Sequence, residues 1–297
     1  MTNPSRDTAA GRAYRDLQNK ARREGRPTDE MLSLYALEGF LDRLSGSRRA
    51  SDLVLKGGVL LAAFGTRRPT RDVDLQAQDL ANDVNTVLAL VQEIASTKRD
   101  DGLIYNIETA TAETIRDEDA YSGVRVSMTC QLATALLTFH VDINVGDPIW
   151  PAPGIVEIPR LLGGSISVLG YPLAMVLAEK IVTAIQRGTA NTRWRDGADI
   201  YLLIGRHEID GTQLRRSLAA VATHRGSSLT PLSDVLAGYV EPAQIRWAAW
   251  VRKQRLGDRL PIDLGDLLAV VIAFADPALV DEVDGLTWIP TERAWIQ

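Results

Sequence analysis

Residues 56–75, with the sequence KGGVLLAAFGTRRPTRDVDL, constrain what this chain can fold into more than any other stretch. A lysine and a glycine pair, Lys56, Gly57 and Gly58, open it. Bare glycine backbone lets N–H groups approach a bound anion closely. The apolar run at residues 59–64 is typical of a short helix, whose positive N-terminal end would face the same anion. The stretch therefore predicts a phosphate-binding turn.

The same stretch ends in two aspartates, Asp72 and Asp74, that alternate with Val73 and Leu75. In a strand, this alternation places both carboxylates on one face and the apolar pair on the other. Neighbouring carboxylates repel each other, and hard divalent cations with oxygen ligands relieve that repulsion. Taken singly, a solvated strand edge and an ordinary glycine turn are the simpler interpretations. The order and spacing of the two motifs favour one joint site.

A later strand-like run, residues 139–145, carries a third candidate carboxylate. Its alternation places His140 and Asp142 on the polar face of the strand. If this strand lies beside the one bearing Asp72 and Asp74, the three carboxylates form a metal site. We interpret His140 as a surface or structural histidine.

Composition limits the classes of protein to which the chain can belong. It has 297 residues, 45% of them hydrophobic, which is enough to bury a substantial core and to form two domains, or one domain with a large appendage. A net charge of −5 argues against a uniformly basic nucleic-acid-binding protein. The one cysteine, Cys130, excludes a disulfide framework and a cysteine zinc site within one chain. The sequence contains neither a membrane-length apolar run nor a signal-peptide pattern, so we expect a cytoplasmic protein without membrane association.

Apolar spacing indicates the secondary structure around the central stretch. Helical spacing occurs at residues 31–44 before it and at residues 80–94 after it. Three strand-like runs follow, at residues 103–110, 124–132 and 136–145. Gly146 and several prolines then close the predicted sheet, and helical spacing dominates from Leu173 onward.

These elements predict an α+β fold, an α/β-type core with a mixed sheet, followed by a mostly α-helical C-terminal domain. We place a basic arm and a helix at residues 1–50, the core at residues 51–160 and the helical domain at residues 161–297. The basic arm is either a solvated helix or a contact to nucleic-acid phosphate.

Three charged residues of the second half are candidates for a functional role. Lys180 lies within an otherwise apolar helical stripe, so it either extends outward to solvent or meets an anion in a pocket. Asp196 and Asp199 are three positions apart and share a helix face. They either complement the helix dipole or orient Lys180 or a nucleotide.

Residues 244–259 combine five arginines and lysines with Trp247 and Trp250. Arginines bind phosphate and tryptophans stack on bases, so the segment could contact a nucleic acid. Alternatively, the indoles pack into a helical bundle and leave the arginines solvated. Helical spacing of the two tryptophans favours packing.

The motifs together resemble a known group of enzymes. Gly57-Gly58 followed by the Asp72 and Asp74 pair resembles the signature of polymerase-beta-type nucleotidyltransferases. With Asp142 on a later strand, then Lys180, then an Arg-Asp-x-x-Asp segment, the set resembles the AbiEii/MenT family of toxin nucleotidyltransferases. This resemblance covers roughly residues 50 to 205.

The resemblance implies a metal-dependent toxin of a toxin–antitoxin system. Such an enzyme transfers a nucleoside monophosphate from a nucleoside triphosphate to the 3′ end of transfer RNA, which blocks aminoacylation and growth. It implies two Mg²⁺ ions as cofactors and a cognate antitoxin encoded nearby. We further expect the protein to act as a monomer.

The resemblance also implies roles for single residues. Asp72 and Asp74, with Asp142, would bind metal, and Lys180 would contact the triphosphate. The last catalytic acid would be either Asp196 or Asp199, and the sequence leaves that choice open. The nucleotide-binding set would comprise Lys56, Gly57, Gly58, Thr70 and Lys180. Some relatives are silenced by phosphorylation two residues before the first aspartate, which here is Thr70, where added charge would oppose the nucleotide.

Two other functions remain open on the sequence. One is a nucleotidyltransferase that modifies a small molecule, such as an aminoglycoside, or a protein side chain. The other is a nucleotide-binding or RNA-binding module without catalysis, which would not need the complete set of carboxylates and lysine.

Overall fold

The computed structural model describes residues 4–78, 80–81, 83–116, 122–190 and 193–297. The chain forms two compact units. The first unit consists of residues Met1–Asp147 and Pro153–Tyr171, and the second of Pro148–Ala152 and Pro172–Gln297. The domain limits at residues 50 and 160 remain predictions. No helix among the described residues is both long enough and apolar enough to cross a bilayer.

The first unit has the mixed α/β composition that the sequence predicts. In chain order its elements are α1 (Ala9–Arg23), α2 (Thr28–Ser45), β1 (Leu53–Lys56), α3 (Gly57–Leu60), β2 (Asp72–Ala77), α4 (Val84–Ala95), β3 (Leu103–Arg116), β4 (Ser122–Leu132), β5 (Ala135–Val145), β6 (Gly154–Pro159) and β7 (Ser165–Gly170). In this described part of the chain the strands form a seven-stranded sheet, in the order β3-β4-β5-β2-β1-β7-β6. The pairs β2–β5 and β1–β7 are parallel and the others antiparallel, so the predicted mixed sheet is confirmed.

One face of this sheet is covered by helices. Helices α1, α2 and α4 contact its strands, and the apolar members of the alternating strands are buried, including Val73, Val126 and Val141. Because side chains alternate along a strand, the polar members of β2, β4 and β5 lie on the opposite face. The basic arm contributes α1, which buries one side of the helix at Ala13 and Leu17 and directs its charged side chains outward.

The structure corrects the sequence-based prediction at three places. The helix expected at residues 59–64 ends at Leu60, and the chain continues in turns with i to i−3 hydrogen bonds such as Phe64 N–H to Leu61 O at 3.2 Å. The helix expected from residue 80 begins at Val84, after Asp83 caps its first turn by accepting from Thr86 N–H at 2.9 Å; residues 79 and 82 lie outside the described chain.

The third correction concerns the end of the sheet. The prolines after Gly146 do not close it, because the hairpin β6–β7 adds two strands beyond β1. Strand β7 pairs in parallel with β1 through Leu55 and Gly170. The hairpin is weakly apolar at the sheet edge, where Ile155 is 69% exposed, so it lacks the buried hydrophobic pattern that identifies a central strand.

The second unit is mostly helical. Its elements are α5 (Leu173–Arg187), a 3₁₀ turn (Gly188–Ala190), α6 (Trp194–Ile204), β8 (Ile209–Asp210), α7 (Gly211–His224), α8 (Leu232–Val235), α9 (Val240–Gln254), α10 (Leu264–Leu279), β9 (Thr287–Ile289) and β10 (Ala294–Ile296). The three short strands pair as β10-β9-β8 within the described residues. Trp288 and Trp295 pack around Phe274 of α10, so the tail docks on this unit. The predicted helical C-terminal region is thus confirmed.

Candidate active site

Parallel pairing of β2 and β5 brings the three predicted carboxylates together. In this register Asp72 lies opposite His140, and Asp74 lies opposite Asp142. All four side chains therefore project from the polar face of the sheet. One carboxylate oxygen from each of Asp72, Asp74 and Asp142 lies within 4.8 Å of the other two. His140 takes no part in this cluster, and its Nδ1 lies 2.8 Å from Ser127 Oγ on β4.

Burial and the neighbouring charges of the cluster both act on Asp74. Its pKa is raised to about 7, first by burial and then by the neighbouring carboxylates of Asp72 and Asp142. Lys56 and the Gly58 N–H oppose this increase without cancelling it. Three crowded carboxylates form the all-oxygen donor set that hard divalent cations such as Mg²⁺ prefer. The residues present therefore fit a divalent metal ion.

The glycine pair leaves space for the side chains of this cluster. Gly57 has a φ of +66°, and a Cβ atom there would lie only 1.8 Å from Asp74 Oδ2. The Gly58 N–H donates to the same oxygen at 3.3 Å, and a Cβ at Gly58 would lie 2.8 Å from Thr70 Oγ1. Thr70 in turn donates its hydroxyl to Asp72 Oδ1 at 2.5 Å. In this structure the glycines make room for Asp74 and Thr70, while their role at a phosphate remains a prediction.

Lys56 lies next to the carboxylates but is engaged elsewhere. It faces Asp74 across the antiparallel pair of β1 and β2. Its ammonium lies 2.8 Å from Asp147 Oδ2 and 5.6 Å from the centre of the Tyr171 ring. The side chains of Lys56 and Asp147 are only 10% and 2% exposed. Lys56 therefore contributes a buried positive charge, and its predicted contact to a nucleotide remains a prediction.

A second cation binds the cluster from β4. Arg125 lies directly opposite Asp142 in the antiparallel register of β4 and β5. Its Nε donates to Asp142 Oδ1 at 2.8 Å and its Nη2 donates to Asp142 Oδ2 at 2.6 Å, so the salt bridge is bidentate. These hydrogen bonds hold the pKa of Arg125 above its usual value. Across the four central strands, the charges thus run Arg125, Asp142, Asp74, Lys56.

The remaining predicted residues form a separate group within the second unit. Lys180 Nζ on α5 lies 3.2 Å from Asp196 Oδ1 and 2.7 Å from Asp199 Oδ2, both on α6. Arg193 Nε lies 2.8 Å from the other oxygen of Asp196. The Lys180 side chain is 11% exposed, so it does not extend outward to solvent. Both aspartates orient this lysine, and the choice between Asp196 and Asp199 as the catalytic acid remains open.

The aromatic and basic segment of α9 divides between packing and exposure. Trp247 is fully buried and donates its Nε1–H to Pro261 O at 3.1 Å, and Trp250 stacks on it at 5.4 Å. The packing interpretation of the indoles is therefore confirmed. The cationic side chains nevertheless face solvent, at Arg246, Arg252, Lys253 and Arg255.

A family model described as nucleotidyl transferase AbiEii toxin, type IV toxin–antitoxin system, matches residues 39–271. The chain belongs to the AbiEii family. The matched residues include the carboxylate cluster and the Lys180 group. The resemblance predicted from the motifs is thus confirmed, and this AbiEii family member is a nucleotidyltransferase toxin by its family.

Two solved structures from Helicobacter pylori are similar to this AbiEii family member. One, described as a candidate nucleotidyltransferase, has 14% sequence identity and a TM-score of 0.49, with 85% of this chain and 96% of the other covered. The other, JHP933, has 15% identity and a TM-score of 0.47, with 83% and 91% covered. No curated protein matches the chain.

The sequence did not predict two residues of this AbiEii family member that pair with predicted site residues. Arg125 is one of several polar residues in β4, and only the register of β4 against β5 places it on Asp142. Asp147 lies two residues after the third strand-like run, but its partner Lys56 is 91 positions away. The alternation of β4 could have indicated the face of Arg125, but the sequence contains no signal for its partner.

Proposed function

We propose that the protein is a toxin that transfers a nucleoside monophosphate from a nucleoside triphosphate to the 3′ end of transfer RNA. One observation carries this proposal: three carboxylates converge on one sheet face of a chain from a nucleotidyltransferase family. The terminal hydroxyl oxygen attacks the α-phosphorus and gives up its proton, and pyrophosphate leaves. A blocked 3′ end can no longer accept an amino acid, so growth stops.

Asp72, Asp74 and Asp142 are the residues that would hold Mg²⁺ in this reaction, with two ions in the usual arrangement. When bound, the metal neutralises charge on the triphosphate and aligns the attacking hydroxyl. The chain's own residues hold the metal-binding carboxylates in position. Thr70 fixes one oxygen of Asp72 at 2.5 Å, and the Gly58 N–H fixes one oxygen of Asp74 at 3.3 Å.

We assign binding of the nucleotide to Lys56, Gly57, Gly58, Thr70 and Lys180. For Lys180 the support is its double contact to Asp196 and Asp199, which holds an ammonium in one orientation at low exposure. An oriented cation stabilises a polyphosphate better than a mobile one, since less is lost in ordering it. The same contacts support Asp196 and Asp199 as positioning residues.

The exposed cations of α9 support a nucleic-acid acceptor. Within a chain of net charge −5, Arg246, Arg252 and Lys253 give this helix a local positive surface. A small-molecule acceptor would have no need of such a surface. We propose that the protein acts as a monomer in the cytoplasm and that an antitoxin encoded nearby binds it, in keeping with its toxin–antitoxin family.

The experiment incubates purified protein with total RNA, Mg²⁺ and each of the four labelled nucleoside triphosphates in turn. Asp72→Asn keeps the shape of the side chain but removes one metal-binding charge, and we expect at least a hundredfold loss of transfer. Asp100→Asn is the matched control, because Asp100 is an exposed aspartate of the same unit.

Label on a band the size of transfer RNA, lost in Asp72→Asn and kept in Asp100→Asn, is the expected result. If label appears only on protein or on an added aminoglycoside, that molecule is the acceptor and transfer RNA is not. Asp72→Asn with undiminished transfer would refute the carboxylate site itself. An absence of pyrophosphate release with every acceptor class would favour a binding module without catalysis.

A further inference from the structure

Arg125 holds both oxygens of the carboxylate that completes the cluster. The two bonds to Asp142 measure 2.8 Å and 2.6 Å, and they come from a residue fixed directly opposite on the neighbouring strand. A guanidinium matches a carboxylate in just this forked geometry. Arg125 thus supplies positive charge where the cluster needs it and occupies one lone pair on each oxygen of a carboxylate that a metal ion would also use.

The two cations beside the cluster differ in their freedom to move. Lys56 is 10% exposed and is held by Asp147, whose side chain is 2% exposed. The Arg125 side chain is 35% exposed, against 10% for Asp142. Arginine carries its charge at the end of a long flexible stem, so Arg125 can leave toward solvent while its backbone stays in β4. Lys56 has no comparable route.

A divalent cation and a guanidinium cannot share Asp142 on equal terms. Each carboxylate oxygen can accept more than one partner, but two positive groups within a few ångströms repel each other strongly in a partly buried site. We propose that Arg125 competes with a divalent cation for Asp142. In the metal-free protein Arg125 neutralises the Asp142 carboxylate, and when a divalent cation binds, Arg125 releases at least one of the two Asp142 oxygens. This rests on the proposed function, in which Asp72, Asp74 and Asp142 bind metal.

Two effects follow from this competition. Arg125 weakens the binding of divalent cations, because part of the binding energy is used to displace it. It also stabilises the metal-free protein, because it offsets the repulsion among three carboxylates that lie within 4.8 Å of one another. A residue that only positioned Asp142 for the metal would have the opposite effect on metal affinity, and this difference in sign makes the inference testable.

The experiment measures Mn²⁺ binding by calorimetry in the absence of nucleotide, using full-length protein freed of metal by a chelator. We compare the wild type with Arg125→Gln, Arg125→Lys and Arg48→Gln. Arg48 is the matched control, since it pairs with Glu93 at 2.9 Å on the surface of the same unit, with an 81% exposed side chain. Thermal melting with and without Mn²⁺ provides the second readout.

We expect Arg125→Gln to bind Mn²⁺ at least about tenfold more tightly than the wild type, the effect of losing one charged hydrogen bond that metal must otherwise break. Its melting temperature should fall without metal and recover with it. Arg125→Lys should lie between the two, because an ammonium keeps the charge but loses the fork. Arg48→Gln should match the wild type.

Equal or weaker Mn²⁺ binding by Arg125→Gln would overturn the inference. If that variant does not fold, Arg125→Lys decides in the same way. Asp74→Asn separates this result from failure of the proposed function: if the wild type binds Mn²⁺ and Asp74→Asn does not, the site stands and only the competition is wrong. If the wild type and both Arg125 variants bind no Mn²⁺, the metal site and the competition fail together.

Discussion

Replacing Asp74 with asparagine should stabilise the protein when no metal is present. Asp74 lies between Lys56 and Asp142 on adjacent strands and shares the cluster with two other carboxylates. Asparagine has nearly the same shape, and its side-chain oxygen can still accept the hydrogen bond from Gly58. The substitution therefore removes one negative charge from the cluster while its packing is kept.

The size of the effect follows from the pKa of Asp74. It is about 7 in the folded chain and 3.8 for an ordinary aspartate, and the difference corresponds to about 4 kcal/mol at about 1.36 kcal/mol per pKa unit. Because the folded-state pKa is the higher one, the folded chain holds the proton more tightly. The stabilisation is complete below about pH 4 and is lost as the pH rises to about 7.

The assay is chemical denaturation in the presence of a chelator, at several pH values between 5 and 8, for the wild type, Asp74→Asn and Asp100→Asn. We expect the free energy of unfolding of the wild type to fall relative to Asp74→Asn as the pH rises, by about 2.5 kcal/mol from pH 5 to pH 8, because the rest of the roughly 4 kcal/mol is lost below pH 5. The exposed Asp100 should give no such trend. Added Mn²⁺ should restore the wild type at pH 8 and leave Asp74→Asn unchanged. A difference between the two that stays constant from pH 5 to pH 8 would refute the repulsion.

Two further predictions concern the second unit. Lys180→Met should destabilise the protein by about 3–5 kcal/mol in chemical denaturation, because Asp199, whose side chain is 2% exposed, would lose the ammonium that lies 2.7 Å away, while Asp196 keeps its contact to Arg193; a loss under about 1 kcal/mol would contradict this. Reversing the charge at Arg246 and Lys253 should weaken binding of labelled transfer RNA and lower the slope of log affinity against log salt by about one for each lost phosphate contact. Fluorescence anisotropy measures this slope, and an unchanged slope would place the acceptor elsewhere.

The polar face of the site was predictable because strand side chains alternate strictly. Asp72 and Asp74 could be assigned to one face, with Val73 and Leu75 on the other, from spacing alone, and both apolar residues are fully buried. The same reasoning placed Asp142 on a polar face. Because neighbouring carboxylates repel each other, a site that contains all three predicts a bound metal ion that offsets the repulsion.

Pairing and register were not predictable, since they depend on contacts between distant residues. A shift of one residue between β4 and β5 would turn Arg125 to the other face, and nothing in the local sequence forbids that shift. The β6–β7 hairpin was missed for a related reason: half of its side chains face solvent, so its hydrophobic signal is weak. Local sequence indicated faces and element types, while the fold decided which charges meet.

The parallel pairing of β2 with β5 also has a consequence for synthesis of the protein. Asp74 and Asp142 are neighbours in space but lie 68 positions apart in the chain. A ribosome must therefore add β3, β4 and β5 before the first two aspartates gain the third, and an unfinished or cleaved chain that ends before β5 carries only part of the metal site. A cell that makes this toxin is thus exposed to a complete carboxylate site only from chains that have been translated beyond β5.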